Sequence, residues 1–501
     1  MRTIIIIFLL LVLSLQGLLF LIFTSSGNHI ILPYLNSYLA KKTPKVKIEI
    51  QKFRLRPDSI SMTSKINNTI ELRAQGNIDL FSQQFDINYT LDTNEIKTPT
   101  LSIKERIKIF GTAKGNMNDM KIYGNGFALD STIRYKLSLL NNYPKNIQIA
   151  IKDANIKSLL VLAGQKPYSS GKLSLQANMP EFTPLNPKIF AKLSIKDAAV
   201  NSKLVENDFN ITLPIGTKYT SSLVVNTKNS RVEFDGSLNS TLANLAIKDG
   251  AYHLLYGNME ASYKLDIADL AKLKPIVAID IRGKFVTNGK VSLKKKKLII
   301  TGHGKEFGGS IDFTLQDSIL RADATGVTVS KLMHMLDYPQ VLDAISKAKV
   351  NYNLDTDSGT LHATLDNARL LPSQLTKALK QFQIIDLTKE KYNNSRFDAK
   401  ISKEKIDFTL EAKSKNSYIR IPQGRLIKKS NAINAKINLK IKGKDLQATI
   451  RGTTNNPKVS LDGSKYLENK VKDKLKKKFG DDIKKAKNQV KSKIKKNLGK
   501  W

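Results

Sequence analysis

The feature that most constrains this chain is a two-residue alternation of aliphatic and polar side chains that returns over several hundred residues. Its clearest run is NAINAKINLKIKG, where Ile433, Ala435, Ile437, Leu439 and Ile441 alternate with Asn434, Lys436, Asn438, Lys440 and Lys442. Successive side chains of an extended strand point to opposite sides, so such a segment makes a strand with one aliphatic and one polar face. The same period sets Val46, Ile48 and Ile50 together in KVKIEIQKF, and Leu173, Leu175 and Ala177 in GKLSLQANM. It also groups Ile189, Ala191, Leu193 and Ile195, and again Ile406, Phe408, Leu410 and Ala412. Turn formers separate the runs, as at Tyr123-Gly124-Asn125-Gly126, Asn288-Gly289, Asp357-Ser358-Gly359 and Asn455-Asn456-Pro457. The expectation is a long antiparallel meander, mainly β.

Short helical patches interrupt the strands. They are expected around Ile156, Leu159 and Leu160; around Ile267, Leu270 and Leu273; around Val329, Leu332 and Leu336; and around Leu371, Leu375 and Leu379. Gly171 and Gly283 open the strands after the first two. The uneven starts do not support a strict solenoid period.

Residues Thr3 to Phe23 are apolar apart from Thr3, Ser14, Gln16 and Gly17, and carry no charge. At 1.5 Å per residue such a run spans about 30 Å of hydrocarbon. It is longer than the apolar core of a cleavable leader, and FTSSGNH is a poor cleavage match, so we expect an uncleaved anchor through Ile4, Phe8, Leu11, Leu15, Leu19 and Phe23. Arg2 precedes the run and the next cations are Lys41 and Lys42, which orients the N-terminus to the cytosol and exports the rest. The expected organisation is an anchor over 1–24, a membrane-proximal helix and linker over 25–44 with its helix from Pro33 to Lys42, a β domain over 45–462 and a tail over 463–501.

In that tail Leu467, Val471, Leu475, Phe479, Ile483, Ala486, Val490, Ile494 and Leu498 recur at helical spacing among 15 lysines. Lys470, Lys474, Lys477, Lys478, Lys484, Lys491 and Lys495 are candidate contacts to an anionic surface. A terminal helix packed on the β domain would show the same stripe.

The formal charge of +39 points to anionic partners. Nucleic acid is disfavoured, because lysines outnumber arginines 68 to 14, no aromatic platform interleaves with them, and the domain is exported. Cysteine is absent, which excludes disulfides, thiolate metal sites and cysteine nucleophiles. His29, His253, His303, His334 and His362 show no metal-ligand spacing. No GxSxG is present, and GHGKEFGG over Gly302–Gly309 lacks the ending of a phosphate loop, so a glycine-rich hairpin is expected there. DINYT and DFNIT match an extended glycosylation sequon and bear on surface exposure only. Neither an enzyme, a cofactor nor a metal is implied.

Three passages, ILPYLNSYLAKKTPKVKIEI after the apolar run, GNIDLFSQQFDINYTL over Gly76–Leu91 and GTTNNPKVSLDGSKYLENKVKDKLKKKFG near the end, complete a pattern of anchor, meander and basic helix. Over nearly its whole length the chain resembles the AsmA-like family, which includes the TamB-type proteins of Gram-negative envelopes. The resemblance implies a periplasmic β-taco, a sheet curled into a trough, with a role in phospholipid transport between inner and outer membranes or in outer-membrane biogenesis. It transfers no catalytic residue.

The residues give their own reason to consider a trough. About 30 strands at ~4.8 Å spacing would make a sheet ~140 Å long if all stacked along one axis. An aliphatic face of that length needs a cover, either protein in a closed sandwich or acyl chains in an open trough, at ~0.8 kcal/mol per buried CH₂. The candidate lipid-bearing positions are Val46, Ile48, Ile50, Leu193, Ile195, Ile406, Phe408, Leu410, Ile433, Ile437, Leu439 and Ile441. Expected partners are phospholipids or other anionic envelope lipids, the inner membrane, and an outer membrane or outer-membrane protein. The other expectation is a scaffold that assists outer-membrane protein assembly without moving lipid.

Overall fold

A computed structural model describes residues 22–462, apart from 45, 95, 99–100, 104–105, 142, 182–187, 278, 382–385 and 443, together with residue 488. The protein is mainly β, with 26 strands in one antiparallel sheet and a separate hairpin of Ile96–Thr98 with Leu101–Ile103. It divides into two compact units, residues 1–267 with 275–278 and 292–295, and residues 268–274, 279–291 and 296–501. Among the described residues no helix is long and apolar enough to cross a membrane. The expected anchor positions Ile4, Phe8, Leu11, Leu15 and Leu19 lie outside the described residues, as do Lys470, Lys474, Lys477, Lys478, Lys484, Lys491 and Lys495.

In the first unit, fourteen strands from Ile48–Leu55 to Met259–Ile267 each pair with the next in chain order. Tight turns are made by pairs of left-handed residues: Leu129-Asp130 joins Ala128 to Ser131, and Asn229-Ser230 joins Lys228 to Arg231. Two left-handed central residues give a turn whose twist matches that of the strands it connects. Helices Ile156–Leu162 and Ser202–Phe209 follow the eighth and tenth strands, so both sit at the same edge of the sheet. The loops after the third, fifth and thirteenth strands lie at the opposite edge and expose Phe81, Met117, Leu255 and Tyr256.

Two expected turns are strand interior. Tyr123-Gly124-Asn125-Gly126 lies within Asp119–Ala128, and Asn288-Gly289 within Phe285–Lys294. The glycines serve close approach rather than reversal. A Cβ on Gly124 would stand 2.3 Å from the Phe110 carbonyl oxygen, and one on Gly289 would stand 1.8 Å from that of Thr301.

The first helix begins at Ser25 rather than Pro33, because Thr24 caps it: the Gly27 N–H donates to the Thr24 hydroxyl at 3.1 Å. Two asparagines fasten this helix to the free edge of the first strand. The Leu55 N–H donates to Asn28 Oδ1 at 2.7 Å while Asn28 Nδ2 donates to the Leu55 carbonyl at 3.1 Å. Asn36 does the same to Ile50, at 2.8 and 3.1 Å. An edge strand's unpaired amides are thereby satisfied and shielded from another chain.

In the second unit, eleven strands from Lys297–Gly304 to Pro457–Asp462 again pair in chain order. Helices Val329–Met335 and Gln374–Gln381 arise where expected, the latter beginning only after Leu371. The patch after Ile267 is shorter than the pattern suggests, a 3-10 turn Leu270–Leu273 followed by one helical turn Lys274–Val277. Ile437, Leu439, Ile441, Leu446 and Ala448 pack with Leu365, Leu387, Tyr392 and Ile419 into a closed core. Tyr392, 1% exposed, reaches the Ser417 hydroxyl at 2.9 Å, and burial pushes its phenol up to about 12.

Candidate functional site: a half-buried aliphatic face

Residues paired across antiparallel strands share a face of the sheet, so the register shows how far the aliphatic side of the first unit continues. One row runs Leu72, Leu91, Ile109, Gly126, Ile133 and Ile151, each paired with the next on the neighbouring strand. It continues without a break through Leu175, Leu193, Leu223, Gly236, Ile247 and Tyr263. At ~4.8 Å per strand this apolar row is about 50 Å long. Apart from the buried Gly126, every member is only half-buried.

A second row is more varied. Phe53, Met62, Ala74 and Tyr89 lead to Gly111 and Gly124, and Tyr135, Ile149, Ala177, Ala191, Val225 and Phe234 follow. Tyr89 and Tyr135 reach over the two glycines from either side and meet hydroxyl to hydroxyl at 2.6 Å. Gly124 leaves the room: a Cβ there would come within 2.6 Å of the Tyr135 hydroxyl. Burial, then the shared hydrogen bond, raises the Tyr89 phenol far above its ordinary value, and burial raises that of Tyr135. The pair stays neutral and forms one polar bar on an otherwise apolar surface. Phe234 over Gly250, and Phe408 over Gly424 in the second unit, lay rings over glycine in the same way.

Full burial in the first unit gathers near the helix-bearing edge, at Ala128, Leu129, Ala154, Ile156, Leu173 and Ala198, several of them under the helix Ile156–Leu162. Of the first row, Ile109, Ile133, Ile151, Leu175 and Leu193 pack against the margins of these clusters yet stay half-buried, while Leu72, Leu91, Leu223, Ile247 and Tyr263 lie outside them. The second unit differs, because its last strands turn the same alternation into the packed core described above.

The sequence-selected positions fall accordingly. Leu193 and Ile195 lie half-buried on the aliphatic face of the first unit, while Ile50 is 5% exposed and Ile48 half-buried. Val46 precedes the first strand and is exposed. Ile406, Phe408, Leu410 and Ile433 are half-buried in the second unit, and Phe408 stacks on Phe397 with ring centroids 5.9 Å apart. Ile437, Leu439 and Ile441, at 2, 2 and 0% exposure, are covered by this chain's own side chains. Phe23 is half-buried just before the first helix. The tyrosine bar escaped sequence reasoning because its partners are 46 residues apart and only the register unites them.

His303 and His362 each place Nδ1 2.7 Å from an aspartate, Asp312 and Asp398, at exposed positions. Gly302–Gly309 closes a hairpin between Lys297–Gly304 and Ser310–Gln316. Among the described residues no three metal-ligating side chains come together. No protein-family model matches the chain, and no curated protein matches it.

Proposed function

We propose that this is a membrane-anchored, non-enzymatic lipid carrier whose aliphatic sheet face holds acyl chains, in the manner implied by its resemblance to the AsmA-like family. The observation that carries this reading is the unbroken, half-buried apolar row from Leu72 to Tyr263. A face with almost no hydrogen-bonding groups holds lipid tails through burial alone and gives no reason for one tail position to be preferred over the next. Lipid then slides, while headgroups stay at the rim among lysines. On this reading the run Ile4 to Phe23 spans the inner membrane, the β units lie in the periplasm, phospholipid passes toward the outer membrane, and the basic tail meets an anionic surface.

The test is photo-crosslinking in cells with a photoreactive residue at Leu223, at Lys192 on the polar face and at Ile437 in the closed core. Phospholipid adducts at Leu223 alone support the carrier. Adducts only to protein at Leu223 remove it and leave the second reading, a scaffold for outer-membrane protein assembly, which the packed core of the second unit favours.

A further inference from the structure

The first helix and the first strand enclose a cleft of about 400 Å³ at the edge of the sheet where the chain leaves its apolar run. One side is apolar, from Phe23, Leu32 and Phe53; the other carries Lys52, Arg54 and Arg56. The cations share a side because they alternate along the strand, and the bulge at Gln51, where Ile50 pairs with Ser64 and Lys52 with Thr63, turns them to the face opposite Ile48 and Ile50. From Lys52 on, every second residue is cationic. No ion pair or side-chain hydrogen bond engages these three cations among the described residues. Of the nearby acids, Glu71 is bonded to Arg73 at 2.6 Å while also feeling the Lys52 charge, and Asp86 is bonded to Lys114 at 2.9 Å. An anion entering the cleft would be attracted by all three charges.

We infer that this cleft takes the phosphate of a phospholipid still seated in the membrane entered by the Thr3–Phe23 run. The inference deepens the lipid-carrier reading and rests on it. Two arginine guanidiniums and one ammonium suit a phosphodiester, which accepts the forked donors of arginine. The apolar wall suits the adjoining acyl chains. Phe53 pairs with Met62 at the head of the second apolar row, so the apolar wall of the cleft is continuous with the aliphatic face, while Arg54 pairs with Ser61 on the polar face and the cleft joins the two at the sheet edge. The apolar run ends at Phe23, a wall of the cleft, which puts membrane lipid within reach. Leu80 and Phe81, exposed at the same edge, extend that contact.

The test uses the full chain in cell membranes, with a photoreactive residue at Leu32 or at Leu223 and mass analysis of the adducts. The variant Lys52→Gln/Arg54→Gln/Arg56→Gln is compared with Lys172→Gln/Lys192→Gln/Lys196→Gln, at exposed positions remote from the cleft. The expected result is phospholipid adducts at Leu32 that fall about tenfold or more in the first variant and not in the second. Should the triple variant fail to accumulate, Arg54→Gln and Arg56→Gln alone are each expected to lower the yield several-fold. Adducts at Leu32 indifferent to all these changes overturn the phosphate site. Adducts at Leu223 with none at Leu32 overturn the cleft and leave the carrier standing. Cation-dependent adducts at Leu32 with none at Leu223 do the reverse, leaving a lipid-binding cleft and removing the conduit.

Discussion

Truncating one aliphatic side chain in each unit measures how differently their faces are covered. Ile437→Ala and Leu223→Ala each remove three carbons. Ile437 is 2% exposed within a packed cluster, so the lost transfer energy is about 2.4 kcal/mol at ~0.8 per carbon, and the cavity raises the total to about 3 to 4. Leu223 is half-buried, between Leu193 and Gly236, and opens no closed cavity, so its truncation costs about 1 kcal/mol. With a urea dependence of about 2.5 kcal/mol/M, the midpoint of the second unit drops by more than 1 M in Ile437→Ala, and that of the first by about 0.4 M in Leu223→Ala. Pulse proteolysis of detergent-extracted protein across a urea series, read with antibodies to each unit, gives both midpoints. Equal drops in the two variants would refute the reasoning, because they would mean that Leu223 is roofed by protein and the face is closed.

Asn36→Ala removes the amide that holds both backbone groups of Ile50, and hydrogen exchange at the Ile50 amide should quicken at least tenfold while Leu55, held by Asn28, changes less. Gly124→Ala drives a methyl into the Phe110 carbonyl and the Tyr135 hydroxyl, and should lower the thermal stability of the first unit by about 1 to 3 kcal/mol with loss of tyrosine near-ultraviolet dichroism. Glu390 accepts from the Ser414 hydroxyl at 2.6 Å and from Asn416 Nδ2 at 3.0 Å, and these bonds hold its carboxyl below the usual range. A depressed carboxyl contributes stability above its unfolded value near 4.3 and loses it as pH falls through the lower folded value. Urea midpoints of the second unit should therefore decline below about pH 4.3, and the decline should be shallower in Glu390→Gln, which starts from a lower midpoint at neutral pH.

The alternation of NAINAKINLKIKG and KIFAKLSIKD predicts strands, and these segments form them, because a half-buried strand is written in adjacent residues. Reversals were less legible. Glycine is needed both in turns and under a neighbouring ring, and nothing local in YGNG tells the second use from the first. The tight turns instead use Leu129-Asp130 and Asn229-Ser230, where the register imposed by the flanking strands outweighs the mild cost of left-handed backbone. The helix Ser202–Phe209 was missed, since SKLVENDF offers only a brief apolar pattern; its signals are Asn201, whose side chain accepts from the Leu204 N–H, and left-handed Asn210. The candidate face was legible as a periodicity. Its division into a fully buried and a half-buried part was not, because cover depends on residues far away in the chain, as Leu387 and Tyr392 are from Ile437.

Among the described residues, the helices that stand between strands follow, within each unit, strands that run in the same direction. This has a genetic corollary. A single extra strand would reverse every strand downstream and carry later helices to the other rim, whereas an extra hairpin leaves each in place. Proteins built on this plan should therefore differ in length by whole hairpins, with duplications and deletions tolerated in steps of two strands, and a gene losing one strand should fail even where its apolar pattern is intact.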